Sequence, residues 1–216
     1  MIKAILFDMD GVLIDTERIN LRFTIEAAKD FGFDLKPEDA LKQRSTAPEE
    51  SDRYYRSVYG EDFDFYAIRD ERRRRMRDFI EENGLDLKEG VREVFEHLEK
   101  MNLKKAVVTS TQYDRAMNYI RMLGIENRFD AIVSASMVER GKPYPDVYLY
   151  ATEKINEKPE NCIAVEDSPN GVRAAYGAGC KVAIFPDLTE PDEEMRNMGT
   201  WVLKSMESLI GILDES

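Results

Sequence analysis

The chain has 216 residues, 43 acidic and 31 basic, giving a net charge of −12 and an isoelectric point near 4.8. That length buries a substantial core as one domain, or one domain with a small insert, and the acidic balance argues against non-specific nucleic-acid binding. Two cysteines and one histidine exclude a Cys/His zinc cluster, and no segment stays apolar for the roughly 20 residues a membrane-spanning helix needs, so a cytosolic chain with no membrane partner is expected.

The first element is a strand over the apolar run Ala4 to Phe7, which delivers Asp8 and Asp10 into a turn containing Gly11 before Val12 and Leu13 resume the apolar pattern. Two carboxylates two residues apart at a strand end are costly to ionise together unless they share a cation or a proton. The pair therefore points to a metal or to acid/base work, although taken alone it reads equally well as a pair of turn formers. Gly11 lets the backbone turn closely around a ligand.

A helix is predicted from Thr16 to Phe31. Ile19, Phe23, Ala27 and Phe31 form its apolar stripe, Leu21, Ile25 and Ala28 widen it, and Gly32 ends it. From Leu35 to Gly84 the chain is polar and helical with no convincing strand. It includes a short segment entered through Pro37 and a long helix from about Phe65 to Asn83. The arginines at 69, 72, 73, 74, 75 and 77 are interleaved with Asp70, Glu71 and Asp78, as expected of a solvated helix with local charge pairing.

From Gly90 the pattern becomes a repeat of helix and strand. Val91, Val94, Phe95 and Leu98 stripe a helix, Ala106 to Thr109 is a strand, and Ala116, Met117, Ile120 and Leu123 stripe the next helix, which Gly124 terminates. Strands at Ala131 to Val133, Cys162 to Val165 and Val182 to Phe185 are separated by helices at Val147 to Ile155 and Gly171 to Ala178. Trp201 to Leu203 reads as an edge strand and Met206 to Leu213 as a closing helix. Short apolar strands alternating with helices indicate an α/β fold built on a doubly wound, mostly parallel sheet. Cys162 and Cys180 read as small buried hydrophobes, His97 as a surface residue, and Met117, Met122 and Met206 as core gap fillers.

In such sheets a ligand sits beyond the carboxyl ends of the strands. Asp8 and Asp10 follow the first strand, Ser110 the second, Lys142 the third, and Glu166 and Asp167 the fourth, so periodicity alone predicts one cleft. Together with that order, the stretches Ile2 to Gly11, Val107 to Ser110 (VVTS), Gly141 to Asp146 (GKPYPD) and Val165 to Gly171 (VEDSPNG) resemble the four motifs of the haloacid dehalogenase superfamily. The resemblance is to the branch of β-phosphoglucomutase and the sugar-phosphate phosphatases.

The resemblance implies a catalytic core over residues 1–15 and 88–216 and an inserted helical cap over 16–87. It implies Asp8 as a nucleophile that forms an aspartyl-phosphate, Asp10 as general acid and base, and Ser110 and Lys142 as phosphoryl contacts. Mg2+ is implied on Asp8, the Asp10 carbonyl and Asp167, with Glu166 nearby as ligand or support. Gly11 and Thr111 would offer backbone N–H groups, and Asn20 and Arg44 would face substrate from the cap.

The acceptor is less determined than the transfer. Water gives a phosphatase, whereas a second sugar hydroxyl gives a phosphomutase. This chain departs from the mutase pattern, with Asn20 at a cap histidine position, Gln43 and Thr46 in the cap recognition loop, and Gln112 and Tyr113 after the second motif. A Mg2+-dependent, monomeric phosphatase of a small phosphorylated metabolite is therefore the expectation, with the mutase as alternative. Phosphonate hydrolysis would need a cap lysine, for which Lys29, Lys36 and Lys42 are weak candidates.

Overall fold

The residues from Ala4 onward form a strand, β1 (Ala4–Phe7), because four consecutive apolar side chains are buried on both faces of a sheet. The computed structural model describes residues 1–44 and 46–215, and the chain divides into two units, residues 1–15 with 85–216 and residues 16–84.

The second unit is helical: α1 (Thr16–Asp30), α2 (Pro37–Lys42), α3 (Pro48–Tyr59) and α4 (Phe65–Asn83). Its core gathers Ala27, Ala28, Leu35, Tyr55, Phe63 and Ile68, with Tyr55 stacked on both Phe63 and Phe65. Asp39 accepts hydrogen bonds from the hydroxyls of Tyr54 and Tyr59, each at 2.6 Å, which ties α2 to α3. Phe31 departs from the predicted stripe. α1 ends at Asp30, Gly32 turns the chain with φ +90°, and Phe31 is left exposed. The arginines of α4 pair along their own helix, Arg74 with Glu71 and Asp78, and Arg69 and Arg73 with Asp70. Arg75 reaches Asp30 on α1 as well as Glu71.

The core unit continues through α5 (Val91–Lys100), β2 (Lys104–Thr109), α6 (Tyr113–Met122), β3 (Ala131–Ser134), α7 (Asp146–Lys154), β4 (Cys162–Glu166), α8 (Pro169–Gly177), β5 (Lys181–Ile184), α9 (Glu193–Met198), β6 (Trp201–Val202) and α10 (Ser208–Asp214). The strands form one parallel sheet in the order β3-β2-β1-β4-β5-β6, so the order reverses beside β1, where doubly wound sheets open a crevice. Alternate residues divide the faces. Leu6, Val108, Ala164 and Ile184 pack with Val147, Tyr148 and Val172 of α7 and α8, and on β1 Phe7 meets Phe95 of α5 edge-on at 5.7 Å.

Cys162 and Cys180 are buried free thiols, as read from their apolar neighbours. Of the three methionines expected in the core, Met117 and Met206 are buried. Met122 is exposed, because the last turn of α6 carries it off the face defined by Ala116, Met117 and Ile120. His97 is half-buried and pairs with Asp214 of α10 at 3.0 Å. Among the described residues, no helix is long and apolar enough to cross a membrane.

Candidate active site

Strand register brings the acids together. Phe7 lies opposite Val107 on one side and Val165 on the other, so the next residue, Asp8, falls level with Val108 and Glu166 at the carboxyl end of the sheet. The backbone N–H of Asp8 donates to Val165 O at 3.0 Å, fixing that level. Asp8 shares the parity of Leu6, and Glu166 that of Ala164, so both side chains fall on the face covered by α7 and α8.

Lys142, carried by the loop between β3 and α7, enters from that side. Its ammonium donates to Asp8 Oδ1 and Glu166 Oε1, each at 2.6 Å, and to Val108 O at 2.9 Å, and its side chain is 3% exposed. Burial lowers the affinity of Lys142 for its proton, but the carboxylates of Asp8 and Glu166 outweigh that effect and hold it charged well beyond the ordinary lysine range. Burial pushes Asp8 well above the usual carboxylate range. Lys142 opposes this, while Glu166, Asp167 and Asp10 add to it.

Asp8, Glu166 and Asp167 are all buried, and one oxygen from each lies within 4.8 Å of the others. Three buried carboxylates around one ammonium leave negative charge uncompensated, and their hard oxygen donors suit a small divalent cation. This is a candidate acidic metal-binding cluster, and its donor set fits the metal expected from the sequence.

Two glycines make the cluster possible. A Cβ at Gly11, where φ is +87°, would stand 2.3 Å from Asp167 Oδ2, and one at Gly171 would stand 1.9 Å from Glu166 Oε2. The close approach expected at Gly11 is thus to a carboxylate of the protein itself. Ser168 Oγ caps α8 by accepting from Gly171 N at 3.1 Å and lies 3.4 Å from Glu166 Oε2.

On the other side of β1, Asp10 Oδ2 accepts from Thr111 Oγ1 at 2.8 Å and, at 3.4 Å, from Thr109 Oγ1. Thr109 Oγ1 also accepts from Thr111 N, and Thr111 O accepts from Ser134 Oγ at 2.6 Å, so the end of β3 steadies the end of β2. The Gly11 and Thr111 N–H groups, expected to be offered to a ligand, both have acceptors within the protein. The Gly11 N–H is engaged by Ile14 O and the Thr111 N–H by Thr109, and the contribution of Thr111 is its hydroxyl on Asp10. Ser110 is exposed at the end of β2. Asn20 and Arg44 belong to the helical unit, both half-buried. Asn20 Oδ1 accepts from Thr24 at 3.3 Å, and Arg44 follows α2.

Sequence reading missed Tyr148. Its hydroxyl donates to Glu166 Oε1, and its ring lies 5.4 Å from the Lys142 ammonium. Burial, then the neighbouring carboxylates, hold the phenol protonated far above its usual range. A signal was present: Tyr148 falls on the buried stripe of α7 with Val147, Ala151 and Thr152, and a buried tyrosine hydroxyl calls for a polar partner.

A parallel sheet whose strand ends gather a nucleophile-type aspartate, a buried lysine and an acidic pair defines a class of hydrolase. The chain belongs to the haloacid dehalogenase-like hydrolases, whose family model matches residues 5–185. It is 31% identical over 99% of both chains to a phosphorylated carbohydrates phosphatase of Thermotoga maritima. It is 32% identical to hexitol phosphatase A of Escherichia coli, over 88% of each chain. Among solved structures, CbbY of Rhodobacter sphaeroides in complex with phosphate is similar with a TM-score of 0.77 and 27% identity, covering 97% of this chain and 96% of that one.

Proposed function

We propose that the protein is a Mg2+-dependent phosphatase of small phosphorylated metabolites, sugar phosphates foremost, working through an aspartyl-phosphate on Asp8. The observation that carries the reading is Lys142, which holds one oxygen of Asp8 beside the acidic cluster while Asp10 is held separately by Thr111. A carboxylate approaching a phosphate dianion meets repulsion, and the fixed ammonium of Lys142 offsets part of it without reorganisation. Mg2+ would be held by Asp8, Asp167 and the Asp10 carbonyl, with Glu166 nearby, and when bound it would supply the remaining positive charge.

In the first step an Asp8 oxygen bonds to phosphorus, the bond to the leaving oxygen breaks, and Asp10 gives that oxygen its proton. In the second, Asp10 takes a proton from water as the water oxygen attacks phosphorus, which releases phosphate and restores the Asp8 carboxylate. Thr111 orients Asp10 for both transfers. Ser110, exposed beside them, contributes its hydroxyl to a phosphoryl oxygen. Asn20 and Arg44 are assigned to substrate recognition from the helical unit, and a monomeric cytoplasmic enzyme is expected. The similarity to a phosphorylated carbohydrates phosphatase and to hexitol phosphatase A supports the substrate class.

Water as acceptor is favoured over a sugar hydroxyl because the positions that match the mutase pattern, Asn20, Gln43, Thr46 and Tyr113, carry no positive charge; a distal phosphate held instead by Arg44 or Arg53 would favour the mutase. A mutase must anchor a distal phosphate to align its acceptor, and water needs no anchor. The test is a phosphate-release panel of sugar and nucleotide monophosphates with and without chelator, beside a coupled assay converting β-glucose 1-phosphate to glucose 6-phosphate. Phosphate release that needs Mg2+, and that disappears in Asp8→Asn, is expected. Interconversion outpacing release would make the chain a mutase, and a full-rate Asp8→Asn enzyme would remove the nucleophile assignment.

A further inference from the structure

A second ion pair, partly buried, lies against the carboxylate loop. Lys88, in the segment by which the chain re-enters the core unit, donates from its backbone N–H to Leu13 O at 2.9 Å and from its ammonium to Gly11 O at 3.0 Å. The same ammonium pairs with Asp187 Oδ1 at 2.5 Å. The side chain of Asp187 is 1% exposed and that of Lys88 14%, and Lys88 also lies 5.1 Å from the Phe185 ring centroid. Gly11 is therefore clasped on two sides. Asp187 Oδ2 would stand 3.4 Å from a Cβ built there and Asp167 Oδ2 2.3 Å from the same point.

From this arrangement we infer that Lys88 and Asp187 are positioning residues for the metal-binding loop: the pair fixes the Gly11 carbonyl and so the setting of the Asp10 carbonyl and Asp167 on either side. The inference rests on the phosphatase reading, which assigns those two groups to the metal. Several features separate this pair from a surface ion pair. Its carboxylate is nearly closed off from solvent, its ammonium is shared with a backbone carbonyl, and it bridges segments 77 and 99 residues apart in the chain. The turn is also tied locally, by Leu13 and Ile14 N–H groups on Met9 O and Gly11 N–H on Ile14 O, and its Asp10 side chain is held by Thr111 and Thr109. Thr111 references the loop to the end of β2 through the Asp10 side chain, and Lys88 references its backbone, at the Gly11 carbonyl, to the segment after β5 through Asp187. Groups that orient metal ligands from behind change metal affinity by about 10- to 100-fold when removed.

The experiment measures Mg2+ binding by calorimetry, and phosphate release as a function of Mg2+, for the wild type, Lys88→Met, Asp187→Asn and the double variant. Each single variant leaves a buried group without its partner and loses stability, so the double variant, which removes both charges, provides the folded test. The expected result is an Mg2+ Kd weakened about 10-fold in the double variant. Phosphate release should fall at low Mg2+ and return towards wild type as Mg2+ is raised. The single variants should not add, because they break the same clasp. A folded double variant with the wild-type Kd and Mg2+ dependence would overturn the inference, whatever its melting temperature. A wild-type protein that neither binds Mg2+ nor releases phosphate fails before any variant is compared. That result would sink the phosphatase reading and the inference with it.

Discussion

In the core unit four glycines are wedged against side chains, although Gly124 and Gly211 there meet open space. Gly11, Gly90, Gly171 and Gly199 would each bring a Cβ to within 2.6 Å of Asp167, Glu207, Glu166 or Ile184. In the helical unit, Gly32, Gly60 and Gly84 have no heavy atom within 4 Å of that point and serve only to turn the chain at positive φ. The ion pairs beside the acidic cluster differ from those of α4 in the same way. Lys142 with Asp8 and Glu166 is buried, and Lys88 with Asp187 partly buried, whereas the pairs of Arg74 with Glu71 and Asp78 are exposed. Around the acidic cluster the core unit packs glycines closely against carboxylates, whereas the helical unit is held by an aromatic cluster.

The sharpest way to break this comparison is at Lys142. Lys142→Met leaves Asp8 and Glu166 buried without their ammonium, and removing one member of a buried pair costs about 3–5 kcal/mol. Denaturant unfolding should show that loss, and phosphate release should fall to background. A variant that keeps wild-type stability would mean the cluster is far less desolvated than its burial implies.

Next come the glycines. Gly171→Ala places a methyl where Glu166 stands, so about 1–3 kcal/mol of overpacking is expected together with loss of turnover as Glu166 is displaced. Gly60→Ala meets open space at φ +104° and ψ 161°, so it should cost only the backbone strain, about 1–3 kcal/mol, and leave kcat unchanged. Equal effects on kcat from both substitutions would erase the distinction between the units.

The same distinction governs what was legible in the sequence. β1 and α4 lie where the apolar run and the helix punctuation put them, and Asp8, Asp10, Glu166 and Asp167 stand at strand ends because each is set by residues next to it in the chain. α3 was absorbed into a polar helical block, since its buried face is made of Tyr54, Tyr55 and Tyr59 rather than an aliphatic stripe. Tyr148, Lys88 and Asp187 escaped notice because their partners lie 18 to 99 residues away, and only the sheet order brings β5 and the returning segment to Gly11. The hydroxyl of Thr111 was overlooked in favour of its N–H, which Thr109 already holds.

A smaller effect is expected on α4. Arg74→Ala removes ion pairs with Glu71 and Asp78 whose members are largely solvated. Exposed pairs gain little once side-chain ordering and salt screening are counted. The denaturant midpoint should not move measurably in 0.15 M salt. A clear drop would show that the arginine run is a structural network, which would bring the helical unit closer in kind to the core.

A last effect separates the units by pH. Both cysteines lie in the core unit, and burial pushes each thiol up to about 12 from an ordinary value of 9.0. The folded value lies above the unfolded one, so between the two the unfolded chain binds fewer protons than the folded chain. Folding stability is then complete below about pH 9 and falls as pH rises towards 12. By pH 10 each thiol should cost about 1 kcal/mol, from one pH unit of differential ionisation. Tyr55 of the helical unit is also raised by burial, but from 10.0, so its share begins only above that pH. Unfolding free energies measured at pH 8 and pH 10 should therefore differ in the wild type, and the difference should shrink in Cys162→Ala/Cys180→Ala even though cavities lower its stability at both pH values. An undiminished difference in the double variant would transfer the alkaline loss to groups other than the two thiols; the buried hydroxyl of Tyr148, like that of Tyr55, starts from 10.0 and adds its share only above that pH.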